Sequence, residues 1–299
     1  MAYPHPGWRG HLQVALAMAM VGSFVVVGKL LDAALPIGVL SWLRFSVALL
    51  VLWPWVYWKK LPQPQGREWG QLALAAFCGV FGFSLCTLYG VRDLPGIEAG
   101  ILLGTLPACV ALVAWGLLKQ RPDRRATIAI VLACLATVLL QTPAQSVVGG
   151  HALRGSVLII LALLGEGVFA AMGQTLGQRL SPLVVTTWVS TFAWLMFLPL
   201  AVWEAPRVVW SQLGLPHLAT MLYLGLGITV LCFVLFFHGV RQISSAATGV
   251  LTTVLPLSAT LLSALILHEP LQLQHAAALG LVVAAVLVVV RPAVTVQPA

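Results

Sequence analysis

The chain has 299 residues, of which 60% are hydrophobic and 8% charged, and its mean hydropathy is +1.00. Soluble domains carry about 25% charged residues, so one water-soluble core is excluded and the solvent for most of this surface is lipid. The net charge of +8 lies in short loops between apolar runs, which suits anionic lipid headgroups rather than nucleic acid.

Ten runs are apolar and close to the 20 or so residues that a helix needs to cross a bilayer. The first, residues 10–31, is too long for the apolar core of a cleaved signal and reads as an uncleaved span carrying Ser23, Phe24 and Lys29. The second, 38–58, holds Arg44 about two turns in and ends in WPWVYW, an interfacial belt followed by Lys59 and Lys60. The third, 69–90, carries Phe83. The fourth, 95–118, has Glu98 in its first turn, Gly96, Gly100 and Gly104 at four-residue spacing, and Pro107. The fifth is 124–141. The sixth, 154–177, holds Glu166 between Gly165 and Gly167, with Phe169 one turn on. The last four are 182–203, 215–238 (ending at His238), 244–267 (with Gly249, Thr252 and Pro256) and 274–291. These runs do not alternate apolar and polar residues as barrel strands do, and backbone groups in lipid must be paired internally, so they are helices.

The loops set an orientation. With the N-terminus inside, eleven Lys and Arg fall on inner segments and four (Lys29, Arg92, Arg154, Arg207) on outer ones, which places both termini in the cytoplasm. The absence of targeting segments favours a bacterial inner membrane.

The chain repeats itself. GVRDLPGIEAGILLGTLP at 90–107 returns as GVRQISSAATGVLTTVLP at 239–256; extended to 90–118 against 239–267, 9 of 29 positions are identical without a gap. Gly96, Gly100 and Gly104 align with Ser245, Gly249 and Thr253, and Pro107 aligns with Pro256. Arg9, Gly10, Gly22, Phe24 and Gly28 likewise match Arg154, Gly155, Gly167, Phe169 and Gly173. The expected fold is therefore an all-α integral membrane protein of ten transmembrane helices, built as two five-helix repeats, 1–145 and 146–299. Five is odd, so the second repeat enters from the opposite side. The charges agree: KQRPDRR (119–125) is basic, whereas its counterpart HEPLQLQ (268–274) has no Lys or Arg. Such inverted repeats recur in secondary transporters.

The chain resembles the EamA-type families of the drug/metabolite transporter superfamily over nearly its whole length. Phe24 to Leu50, with Lys29, Pro36, Arg44-Phe45 and Ala48, is similar to the signature of the first repeat; LHEPLQLQHAAALGLVVAAVLVV, with Glu269 and Gly280, is similar to the closing one. Gln120 replaces a Glu that the second half would suggest, and Val21 replaces the usual Trp of the first span. The resemblance implies export or exchange of amino acids, metabolites, drugs or nucleotide sugars. In overall texture the chain is most similar to the YddG-type exporters of aromatic and other neutral amino acids.

An ionisable side chain inside a bilayer needs a partner or a wet cavity. Glu166 has two readings: a cavity carboxylate that contacts a substrate ammonium or carries a proton, and a neutral Glu hydrogen-bonded in helix packing. Glu98 has a cavity role or serves the positive end of its own helix. Arg44 pairs with Glu166, binds a carboxylate or snorkels to the interface; the resemblance favours a structural or gating ion pair. Lys29 and Asp32, three apart, are candidates to pair with each other. Phe24, Phe83 and Phe169 are candidate walls for an apolar or aromatic substrate, with Ser23 and Thr252 as polar contacts; core packing is the alternative for each ring. Gly96, Gly100, Gly104 and Gly249 permit close sliding contacts, and Pro107 and Pro256 mark hinges. His238 and its counterpart Tyr89 read as interfacial anchors.

The five cysteines (Cys78, Cys86, Cys109, Cys134, Cys232) form no CxxC pair, so neither a metal nor a cofactor is expected. No HExxH, GxSxG or phosphate-binding loop supports an intramembrane enzyme. The reading reached is a secondary transporter that exports small amphipathic solutes, neutral or aromatic amino acids foremost, by alternating access. Its partners are a small-molecule substrate, membrane lipids and, where a carboxylate couples, protons. The alternatives are export or exchange of a drug, nucleoside or sugar derivative, and passive conduction.

Overall fold

The structure is a computed structural model that describes residues 8–31, 35–106, 151–176, 179–240, 251 and 254–290, with scattered positions between 109 and 139. The described residues are helical, with no strand among them. The helices are α1 (Trp8–Leu31), α2 (Ile37–Trp58), α3 (Glu68–Ala75), α4 (Phe83–Asp93), α5 (Gly96–Leu103) and α6 (His151–Leu176). They are followed by α7 (Pro182–Glu204), α8 (Leu215–Leu222), α9 (Cys232–Val240), α10 (Val254–Ile266) and α11 (Leu273–Val290).

Six of these helical stretches are long and apolar enough to cross a membrane: Trp8–Leu30, Ile37–Trp58, Glu68–Asp93, His151–Phe169, Pro182–Arg207 and Leu215–Phe236. Val254–Ile266 and Leu273–Ala284 are shorter apolar helices. Of the ten expected spans, the fourth (95–118), fifth (124–141) and ninth (244–267) fall partly on residues outside the described ones, and six full-length crossings are seen among the described residues.

Start signals act where the sequence places them. Proline fixes its own φ and has no N–H to lose, so it suits a helix start. Pro36 precedes α2 and Pro95 precedes α5. Pro182 opens α7 behind Ser181, whose hydroxyl accepts from the Val184 N–H at 3.3 Å.

Two helices change their winding midway. A π-helical segment, Ala76–Gly82, joins α3 to α4, and a second, Tyr223–Leu231, joins α8 to α9. A π turn bonds i to i+5 and widens the helix locally, a feature frequent at functional sites. At the repeat offset of 149 residues, 76–82 falls on 225–231, inside the second π segment.

Helix contacts recur at the same offsets. A Cβ added to Gly90 would stand 3.1 Å from the Gly155 carbonyl oxygen and 3.0 Å from Ile159, between α4 and α6. A Cβ at Gly239 would stand 2.9 Å from the Gly10 carbonyl oxygen and 2.6 Å from Val14, between α9 and α1. Glycine is required where backbones approach this closely.

Between α2 and α7 the core is aromatic. Phe45 stacks on Phe197 with centroids 6.0 Å apart, and Trp42 on Trp194 at 5.6 Å. The Trp194 Nε1–H donates to Ser46 Oγ at 2.8 Å, which satisfies its polar edge inside an apolar contact. Tyr57 and Trp58, ending the WPWVYW run, are exposed, and Lys59 lies 5.5 Å over the Trp55 ring.

Candidate functional site

The bundle's charges fall into two groups. The first ties helix ends together. Glu204, at the end of α7, is buried and accepts from the Gly38 N–H at 2.7 Å and the Val39 N–H at 3.3 Å, the free donors that open α2. Glu269, just past α10, accepts from the Gly96 N–H on Oε1 and the Ile97 N–H on Oε2, both at 2.8 Å, the free donors that open α5. A helix start holds unpaired N–H groups and a positive dipole end, so a carboxylate from another helix binds well there. Lys29 at the end of α1 approaches Glu269 Oε1 at 3.8 Å, and Arg154 Nε pairs with Asp93 Oδ2 at 2.9 Å. Asp32, the partner that spacing offers Lys29, lies outside the described residues.

Glu98 lies half-buried in the first turn of α5, within electrostatic reach of Glu269 and Lys29. The N–H groups of that turn are capped by Glu269, so Glu98 is not the hydrogen-bonding cap of its helix. Gly96 faces Ser263 and Glu269, Gly100 faces Ala259 and Thr260, and Gly104 faces Val282 of α11. The glycine stripe is therefore the seam along which α5 meets α10 and α11. Pro256 is buried in α10. Pro107, Gly249 and Thr252 lie outside the described residues.

The second group lies within the bundle. Arg44 is buried on α2. Its Nη2 donates to Ser84 Oγ of α4 at 3.0 Å, and its guanidinium lies 4.4 Å from the Phe45 ring centroid and 5.1 Å from that of Phe24. Phe24 in turn stacks on Phe83 at 6.5 Å. No carboxylate, Glu166 included, makes an ion pair with Arg44 among the described residues. One of the three expected aromatic walls, Phe24, thus borders Arg44, and a second, Phe83, stacks on Phe24.

Glu166 sits on α6 with no hydrogen bond or ion pair to it among the described residues. Its neighbour Gly165 lies against the Cys78 carbonyl, at the π segment of the α3–α4 helix. Glu166 is within electrostatic reach of Cys232, whose thiol donates to the Ala17 carbonyl at 3.4 Å. The carboxylate therefore stands near the junction of α1, α6 and the α8–α9 helix. On the same pair of partners, Ser23 donates to the Met20 carbonyl at 2.7 Å and shares a 2.7 Å hydrogen bond with the Tyr223 hydroxyl.

Phe169 is separate from the Phe24–Phe83 pair. It lies against Gly79, meets Phe233 edge-on at 6.0 Å, and lines a small apolar pocket with Phe45, Val189, Thr186 and Ser190. Phe45 links the two places: one side of its surroundings is the Arg44 guanidinium, and it also borders this pocket. Among the described residues no three His, Cys, Asp or Glu cluster as metal ligands would.

Sequence reasoning missed Glu204 and gave Glu269 no job. The signal was present: Glu204 is a lone carboxylate ending an apolar span, a position that a helix start can use. The partner 166 residues away was not readable.

An all-helical bundle with several long apolar helices and few, mostly engaged charges defines a multi-pass membrane protein. The profile of the EamA-like transporter family matches this chain twice, over residues 8–142 and 153–291, and the chain belongs to that family. It is 36% identical over 284 residues to the "Uncharacterized transporter YetK" of Bacillus subtilis (strain 168), covering 94% of this chain and 86% of that one. It is 28% identical over 206 residues to the "Uncharacterized transporter YdeK" of the same organism, covering 69% and 70%. An "Uncharacterized transporter" of Archaeoglobus fulgidus is 25% identical over 264 residues, covering 87% and 89%. A solved crystal structure shares the fold with a TM-score of 0.67 at 17% identity, covering 96% of this chain and 99% of the other. The family and these relatives point to a membrane transporter of small molecules rather than an enzyme.

Proposed function

We propose that the protein is a secondary transporter that exports small amphipathic solutes, with neutral and aromatic amino acids the first class to test. It works by alternating access between two inverted five-helix repeats, 1–145 and 146–299, in the inner membrane with both termini cytoplasmic. The observation that carries this reading is the recurrence of one set of contacts at the two offsets of the sequence repeat, 149 and 145 residues. The π segments of the α3–α4 and α8–α9 helices correspond, and the Gly90–Gly155 approach has its counterpart at Gly239–Gly10. Two halves that make equivalent contacts can exchange conformations, which is the physical requirement for presenting one site to either side.

The interior suits such a solute. Aromatic and aliphatic walls at Phe24, Phe83 and Phe169 take an apolar body, and Ser23 with Tyr223 supplies hydroxyls. In this reading Glu166 takes the substrate's ammonium group or a proton, Glu98 is a second carboxylate on the path, and Thr252 a polar contact. The α5–α10 glycine seam is the surface that slides, with Pro107 and Pro256 as hinges and Gly249 continuing it.

The test is counterflow in proteoliposomes with labelled neutral, aromatic, acidic and basic amino acids, with Glu166→Gln alongside. Saturable exchange confined to a few neutral amino acids is expected. Exchange retained in Glu166→Gln, with loss of the response to a pH gradient, would assign proton coupling to that carboxylate. Flux without saturation or counterflow means a passive path. No amino-acid exchange by folded protein sinks the amino-acid reading.

A further inference from the structure

A buried cation in a membrane protein needs its charge matched, because neither lipid nor an apolar core solvates it. Arg44 is only 6% exposed, yet its partners are one neutral hydroxyl and two aromatic faces. Its Nε–H is buried and has no hydrogen-bond partner. Among the described residues, Glu204 is taken by Gly38 and Val39, Glu269 by Gly96, Ile97 and Lys29, and Asp93 by Arg154, while Glu98 and Glu166 make no ion pair with Arg44.

The nearby polar groups repeat the pattern. One turn before Arg44 on α2, the Ser41 hydroxyl is buried without a partner; one turn after Ser84 on α4, the Thr87 hydroxyl is buried without a partner. Residues three apart share a helix face. The faces of α2 and α4 that meet at the Arg44–Ser84 bond therefore carry a guanidinium with an unused donor, two idle hydroxyls and no carboxylate. Such groups are rarely left unpaired in a closed interior, and an unmatched one calls for an explanation. Donors and positive charge without an anionic acceptor describe a receptor for an anion, and the planar guanidinium edge fits the two oxygens of a carboxylate. Phe24 and Phe45 against it, with Phe83 stacked on Phe24, are walls for an apolar body.

We infer that Arg44, with Ser84, forms an internal subsite that binds the carboxylate of an otherwise apolar or aromatic solute, so that the solute supplies the missing counter-charge. This rests on the transporter reading and narrows it: the solute carries a carboxylate. Arg44 is then a binding residue and not half of an ion pair within the protein.

The test uses the full chain purified in detergent, with 3-phenylpropionate as probe and 3-phenylpropionamide, its uncharged isostere, as control. Hydrogen bonds to charged groups contribute about 1.5–3 kcal/mol, so the carboxylate should bind about 10- to 100-fold tighter than the amide, read from the concentration that raises the unfolding temperature. Arg44→Gln should abolish that preference, and Arg44→Lys should keep part of it, since lysine retains the charge without the planar fork. Equal stabilisation by acid and amide, an undiminished preference in Arg44→Gln, or no stabilisation by either probe overturns the proposal. Should Arg44→Gln fail to fold, the acid–amide contrast in the native chain and in Arg44→Lys decides. Phenylalanine counterflow is measured in parallel on the same preparation. Carboxylate-selective binding without counterflow leaves the subsite standing and sinks amino-acid transport; counterflow that phenethylamine, which lacks the carboxylate, inhibits as well as phenylalanine does keeps transport and sinks the subsite.

Discussion

The end of the bundle where α2 and α5 begin differs from its interior in how charge is handled. At the end, Glu204 and Glu269 each receive two backbone N–H groups at the start of another helix. In the interior, Arg44 has one hydroxyl and an unused Nε–H, and Glu166 has no partner among the described residues. Both places are costly for charge, yet only one is matched. A matched charge holds two helices in register, and an unmatched one is available to something that enters and leaves. The difference separates residues that fix the structure from residues that wait for a ligand, although all of them read alike as rare ionisable groups in apolar runs.

Substitutions at the two places should therefore differ in size. The largest loss is expected for Glu204→Ala, which strips both charge-assisted hydrogen bonds from buried N–H groups and should cost about 2–3 kcal/mol, read by unfolding in mixed micelles. Glu269→Ala should cost about 2 kcal/mol by the same measure, because its site is less buried and water replaces part of the cap. If the α5–α10 seam is the moving surface, that variant should also change the exchange rate, whereas Glu204→Ala should act through stability alone. Ser84→Ala comes next: it leaves the Arg44 Nη2 short of an acceptor and should cost about 1 kcal/mol. A cost well above that would mean Ser84 holds Arg44 as firmly as the caps hold α2 and α5, and would erase the contrast. The smallest effect is expected at Arg154, which is 58% exposed; Arg154→Ala should cost under about 0.5 kcal/mol even though its 2.9 Å contact is short.

Much of this was legible in the sequence because the bilayer sets helix length. The run expected at 38–58 is the helix Ile37–Trp58, and that expected at 182–203 is Pro182–Glu204. Gly10, Gly90, Gly155 and Gly239, which the sequence aligns in pairs, lie at close helix approaches, where glycine is needed. The π segments were not legible, because AFCGVFG and YLGLGITVL are as apolar as any α-helical run and their winding is decided by packing. Nor were the caps, whose partners lie 166 and 173 positions apart. The approach of Lys29 to Glu269, 240 positions away, was equally out of reach of local spacing. Arg44 and Glu166 were singled out by type alone, and their separation into different surroundings came only with the arrangement of α2, α4 and α6.

The most direct measurement is the unfolding free energy of Arg44→Met against the native chain, without ligand, in mixed micelles. Methionine keeps the unbranched apolar stem and removes the unmatched charge. A charge held in reserve for a solute contributes nothing to the empty protein, so Arg44→Met should be equal in stability or higher by about 1–2 kcal/mol. A loss of about 3 kcal/mol or more would contradict the account, because that is the effect of breaking a buried pair, and it would place Arg44 with Glu204 and Glu269 among the residues that hold the bundle together.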